Sequence, residues 1–74
     1  MDEVHFQFNL LSSGDTRIGV YDLYGREIEI ILDEHLPIGY HQYTWIPKGL
    51  PSGLYYYKLK SGSQIGKSSK LVMR

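Results

Sequence analysis

The stretch that decides the fold is Gly39-Tyr40-His41-Gln42-Tyr43-Thr44-Trp45, followed after a short gap by Leu50-Pro51-Ser52-Gly53-Leu54-Tyr55-Tyr56-Tyr57-Lys58-Leu59. The first part alternates, with His41, Tyr43 and Trp45 in one phase and Tyr40, Gln42 and Thr44 in the other. Side chains of a strand point to opposite faces with period two, so this is a half-buried strand carrying the only Trp of the chain. The second part opens on Pro, Ser and Gly and then runs into aromatics and Leu, the form of a turn feeding another strand. The spacing Leu50, Gly53, Tyr55 adds a specific expectation. In Greek-key sandwiches a Tyr at the start of a late strand bonds back to upstream backbone, forming a tyrosine corner. Here Tyr55 is expected to reach back near Leu50, with Gly53 making room for the bend.

Working outward, the same alternation recurs. Val4, Phe6, Phe8 and Leu10 share a phase and define a first strand with a polar outer face. Residues 16–22 form a second, with Ile18 and Val20 inward. Tyr24-Gly25 closes a tight turn, in which Asp22 can accept bonds from backbone amides. Residues 27–32 form a third strand. Ile28, Ile30 and Leu32 are expected inward and Glu27 and Glu29 outward, while Ile31 breaks the pattern toward a second layer. Residues 33–39 connect this strand to the Trp45 strand and cross between sheets. Residues 54–60 form the fifth, with Tyr55, Tyr57 and Leu59 in phase. A hairpin turn at 61–64 leads to a last strand over 65–73. No segment has helical periodicity of useful length. The fold class is all-β, an immunoglobulin-like antiparallel β-sandwich of about six to seven strands with a Greek-key connection.

At 74 residues the chain is one domain, small enough that burial alone leaves it marginal. It has no Cys to staple it, so its ten aromatic residues, seven of them Tyr, must build the core. No run approaches the roughly 18 apolar residues that span a bilayer, and the acidic start has no signal-peptide form. Charge is unevenly placed. All eight acids lie within the first 34 residues, against Arg17 and Arg26, and the remaining six bases follow with no acid among them. The halves are expected to interleave in the sheets, with charges paired or solvated. Otherwise they leave a basic edge for a partner.

The residue types of catalysis and metal binding are sparse. Without Cys there is no thiol nucleophile and no Cys-ligated metal. His5, His35 and His41 fall on three elements, and His41 reads as a packed, hydrogen-bonded residue. Asp33-Glu34 offers too few oxygens for calcium, and no Gly-rich phosphate loop exists. No catalytic, cofactor or metal residues are assigned. Nucleic-acid binding is not expected, because Tyr55 and Tyr57 belong to core and corner and leave Tyr56 alone as a stacking platform. Tyr56 and Tyr40 keep open a carbohydrate-binding reading.

The residues also carry a resemblance. Val20-Tyr21-Asp22-Leu23-Tyr24-Gly25-Arg26-Glu27-Ile28 resembles the Val-Tyr-Asp-x-x-Gly-Arg-x-Val segment of C-terminal sorting domains of the bacterial type IX secretion system. Leu36-Pro37-Ile38-Gly39-Tyr40-His41, with Trp45 after it, is similar to their Leu-x-x-Gly-x-His connection. Leu50 to Leu59 is similar to their Leu-x-Ser-Gly-x-Tyr-x-Tyr-x-Leu signature, and Lys70-Leu71-Val72-Met73-Arg74 resembles their closing motif. The chain departs from them at Ile46-Pro47, where Asp-Gly is frequent, and it lacks a Pro-Asn-Pro opening. The immunoglobulin-like domain of the flagellar hook-capping protein shares much of the middle pattern.

The resemblance implies a non-catalytic module, residues 1–74, at the end of a larger secreted protein, with Met1 at a domain boundary. Its implied partners are the type IX outer-membrane translocon with its shuttle protein and a sortase-like peptidase that joins the cargo to the cell surface. It implies no membrane insertion of the module itself and no cofactor. Lys70, Leu71, Val72, Met73 and Arg74 are the expected partner-binding residues, since an apolar strand flanked by charge suits docking at a sheet edge. An exposed last strand is also open to edge-strand self-association. The alternative is a structural or carbohydrate-binding accessory module.

Overall fold

A computed structural model describes residues 3–62 and 68–73, with the side chains of residues 68–70 and 73 outside the description. The expected hairpin turn at 61–64 and the start of the last strand therefore fall largely outside the described residues, as does Arg74. The described chain is all-β. Its strands are β1 (Val4–Leu10), β2 (Gly14–Tyr21), β3 (Glu27–Leu36), β4 (Gly39–Trp45), β5 (Gly53–Ser61) and β6 (Ser68–Met73). They form two antiparallel sheets, one of order β1-β4 and one of order β3-β2-β5-β6. The connection after β3 does cross between sheets, but β3 runs on to Leu36, so Asp33 and Glu34 lie in a strand and not in the connection.

The sheets meet across a core of Phe6, Phe8, Leu10 and Trp45 from the smaller sheet and Ile18, Val20 and Tyr55 from the larger. The alternation of β1 and β2 is realised as read: Ile18 and Val20 are fully buried, and Val4 packs against the cluster. Phe6 meets Tyr57 edge to face, with ring centroids 5.1 Å apart, a favoured aromatic geometry. One buried polar pair sits among these residues. Thr16 Oγ1 donates to the Gly14 carbonyl at 3.2 Å and lies 2.7 Å from Ser61 Oγ, so neither hydroxyl is left unpaired.

The third strand departs from the sequence expectation. The β2–β3 register shifts between Ile18 and Gly19 and again between Val20 and Tyr21. Ile18 pairs with Leu32 and Gly19 with Ile30, so Ile31 is an extra residue; Val20 pairs with Glu29 and Tyr21 with Glu27, so Ile28 is another. An extra residue in one strand reverses the phase beyond it. Ile31 and Leu32 both pack on the core, while Ile28 and Ile30, expected inward, are exposed. Glu29, expected in solvent, is half-buried and accepts a 2.8 Å bond from Trp45 Nε1. Tyr43 also departs: it shares the phase of Trp45, where a core residue is expected, and is exposed. His41 is half-buried against Phe8 and lies 2.8 Å from the Pro37 carbonyl through Nε2, the packed residue expected.

The acidic and basic halves do not interleave in the larger sheet: β3 and β2 lie side by side, followed by β5 and β6, and the halves meet there where β2 pairs with β5. Among the described residues the ion pairs are Glu3–His5, Arg17–Glu27, Asp22–Arg26 and Asp15–His35, and none of them uses a Lys or Arg of the basic half. Lys58 instead lies over the ring of Tyr21, 4.7 Å from its centroid, a cation–π contact. That ring lies across Gly19, where a Cβ would come within 3.0 Å of both the Tyr21 hydroxyl and Glu27 Oε1. Gly19 is thus what lets the Tyr21–Glu27 hydrogen bond cover the strand.

Candidate functional site

Two built surface features could serve recognition. The first is the turn between β2 and β3. Asp22 organises it: Oδ1 accepts from the amides of Tyr24 at 2.9 Å and Arg26 at 3.0 Å, and Oδ2 accepts from Arg26 Nε at 2.8 Å. Backbone bonds from Gly25 N to Asp22 O and from Asp22 N to Arg26 O close the loop. Gly25 adopts a φ of 81°, a conformation that costs Gly nothing and most residues strain. The turn therefore holds Leu23 and Tyr24 outward in a fixed shape, with Tyr24 85% exposed and Arg26 stacked 5.5 Å from its ring centre.

Partial desolvation pulls the Asp22 carboxyl upward, but the amides of Arg26 and Tyr24 and the Arg26 guanidinium outweigh it, so its pKa lies below the ordinary aspartate value. A depressed carboxylate contributes stability that is full above its unfolded pKa, near ~4, and lost as pH falls through the folded value. The thermal midpoint should therefore drop as pH falls below about 4. Asp22→Asn keeps an acceptor for the amides but discards the charge, so it should flatten that part of the profile. Parallel melts of both proteins between about pH 2 and 6 measure the difference; identical pH profiles would show that the Asp22 charge contributes nothing.

The second feature is the last strand. β6 is the outer strand of the larger sheet, antiparallel to β5 with Tyr55 opposite Leu71, Leu54 opposite Val72 and Gly53 opposite Met73. Of the expected partner-binding residues, Lys70, Leu71, Val72 and Met73 are brought together on this strand. Leu71 is half-buried and packs on the core, whereas Val72 faces away and is 68% exposed. The side chains of Lys70 and Met73, and all of Arg74, lie outside the description.

The corner that presents β5, and so β6, is the tyrosine corner expected. The buried Tyr55 hydroxyl donates to the Pro51 carbonyl at 2.7 Å, one residue from the anticipated position. Gly53, with φ of 149°, makes the bend into the strand.

Other chemistry is not assembled. Among the described residues no three His, Asp or Glu groups converge as a metal site. His5 contacts Thr44 and Glu3, His35 contacts Asp15, and His41 contacts Pro37, three separate places. Tyr40 and Tyr56 lie on the outer faces of opposite sheets, so they make no common platform for a sugar. The turn's outward Leu23 and Tyr24 were not singled out from the sequence as a surface, although the Asp22 and Gly25 that shape it were.

Residues 1–74 match the family model described as a secretion system C-terminal sorting domain. The chain belongs to that family. Sorting domains of this kind are signals for type IX secretion, and they work by being recognised by that machinery. Searches of curated proteins and of solved structures returned no match. Family membership accounts for a site made of folded surface: in the sorting domain the Asp22 turn is held by its own hydrogen bonds and β6 is the outer strand of the larger sheet.

Proposed function

We propose that this sorting domain is the non-catalytic last module of a larger secreted protein, and that it delivers its cargo through the type IX outer-membrane translocon to attachment at the cell surface. The observation that carries this reading is the family match over the whole chain. The translocon's shuttle protein reads the folded domain, and a sortase-like peptidase then cuts before it and joins the cargo to the surface. The sandwich itself is read as immunoglobulin-like, a reading supported by the strand order and by the tyrosine corner at Tyr55.

Within the domain, Lys70, Leu71, Val72, Met73 and Arg74 make the translocon contact. The support is positional. β6 is an edge of its sheet, and an edge strand offers backbone groups and alternate side chains to a partner. Leu71 shares its load with the core, so removing the whole motif would also loosen the fold. The sharper variant is Val72→Lys, which changes only an exposed position. Its thermal midpoint should match the parent, and export of a fused reporter should fall at least about tenfold, a loss of roughly 1.4 kcal/mol of recognition. Unchanged export with an intact fold would remove Val72 from the contact.

A further inference from the structure

The two sheets are unequal, and the inequality leaves an opening. β4 lies over β3, joined to it by the bond from Trp45 to Glu29, and β1 lies over β5, through Phe6 and Tyr57. The smaller sheet ends at β1, so β6 extends one strand beyond it. The step encloses a cleft of about 320 Å³, with Val4, Phe6 and Phe8 on one wall and Tyr57, Leu59 and Leu71 on the other. Among the described residues β1 bonds only to β4, so the backbone groups of its other edge face the mouth of this cleft unpaired.

That edge has none of the usual guards. β1 contains no Lys, no Pro and no register shift, whereas the β3 edge carries Glu27, Glu29, Asp33 and Glu34 and two shifts. A strand set ~4.8 Å beyond β1 would lie over the uncovered β5–β6 surface and could place alternate side chains on Tyr57, Leu59 and Leu71. A second folded copy cannot supply that strand. Its own larger sheet would have to occupy the layer already filled by β5 and β6. The occupant is a strand without a second sheet behind it.

We propose that the cleft holds the stretch of polypeptide leading from the cargo into this domain, paired antiparallel to the free edge of β1. This rests on the reading of the chain as the C-terminal module of a longer protein. The chain enters β1 at Val4, which itself lines the cleft. A hairpin of about two to five residues is enough to bring the preceding segment back along β1. Being tethered, that segment sees the cleft at an effective concentration on the order of millimolar, an advantage no separate strand has. The segment is extended, about five to seven residues long, and apolar at alternate positions. The junction between cargo and sorting domain is then part of the sandwich, and a peptidase reaches it only when the strand is withdrawn.

The test compares the 74-residue chain with the same chain carrying about 15 residues of its natural upstream sequence, by amide hydrogen exchange of β1 measured by NMR. The β1 amides that do not bond to β4 should exchange at least about tenfold more slowly in the extended protein, and should return to fast exchange when two apolar upstream residues become Asp. Equal, fast exchange in both proteins would overturn the proposal. So would protection already present in the shorter chain, which would mean that the chain closes its own cleft. Protection that grows with protein concentration would overturn it in favour of self-association. Export is not the readout, so the sorting reading stands or falls separately.

Discussion

Trp45→Ala is expected to unfold the domain at ordinary temperatures. Trp45 is buried where the smaller sheet closes on β3, and it is the largest side chain of the core. Truncating a buried Trp costs about 3–5 kcal/mol in lost transfer energy and residual cavity. At about 0.05–0.15 kcal/mol per residue, a 74-residue domain has roughly 4–11 kcal/mol in total. The substitution also strands Glu29, whose half-buried carboxylate loses its 2.8 Å donor. Trp45→Phe is intermediate: it keeps one aromatic ring in the core and loses the second ring together with the Nε1 donor. Urea titration followed by circular dichroism should place the Ala variant unfolded or nearly so without denaturant, and the Phe variant between it and the parent. A Trp45→Ala protein with a cooperative transition close to the parent's would mean that the core is not organised around this residue.

The second large effect is at the corner. Tyr55→Phe removes one hydroxyl and almost no volume. Its bond to the Pro51 carbonyl pins the loop between β4 and β5 to the strand that follows it. Leaving that carbonyl without its donor should cost about 1–3 kcal/mol, with Trp45 packing and the rest of the core unchanged. Thermal unfolding of the variant checks this directly. A midpoint equal to the parent's would show that the corner is held by the Gly53 bend and Leu50 packing alone. The effect should add to that of Asp22→Asn, because the two turns share no partner.

Much of this architecture was legible in the residues. The period of two in β1 and β4, the Leu50-Gly53-Tyr55 spacing and the Asp22-Gly25 turn are local signals, and each was realised within a residue or two. What failed was non-local. In β3, Glu27-Ile28-Glu29-Ile30 alternates and Ile31 breaks the pattern, yet β3 carries two extra residues, Ile31 and Ile28, and the faces of Ile30 and Glu29 are exchanged. Ile31 was read as the break in the pattern and does pack on the core, whereas nothing inside β3 marks Ile28. Gly19, with the shifts beside it and Tyr21 and Glu27 laid over it, is a further hint, and it lies on the other strand. Tyr43 was in the inward phase but is exposed while Trp45 on the same strand is buried, and phase alone does not say how far a face is covered. The charge asymmetry was real, but the halves were expected to interleave and instead lie side by side, and at their seam Lys58 meets an aromatic ring and not a carboxylate. The last strand was placed by pattern and its role by resemblance, and its place at the edge of the larger sheet, one strand beyond β1, became visible only in three dimensions.

The central claim is that this domain is sufficient to send a cargo out by the type IX route. The direct measurement is to fuse the 74-residue chain to the C-terminal end of a monomeric fluorescent reporter bearing a signal peptide. The fusion is expressed in a type IX-secreting bacterium and in a sister strain lacking the translocon, and the reporter is assayed outside the cell, on its surface and in the periplasm. The prediction is reporter outside or on the surface in the first strain and trapped in the periplasm in the second. Reporter retained in the periplasm of both strains, with the domain folded, would contradict it.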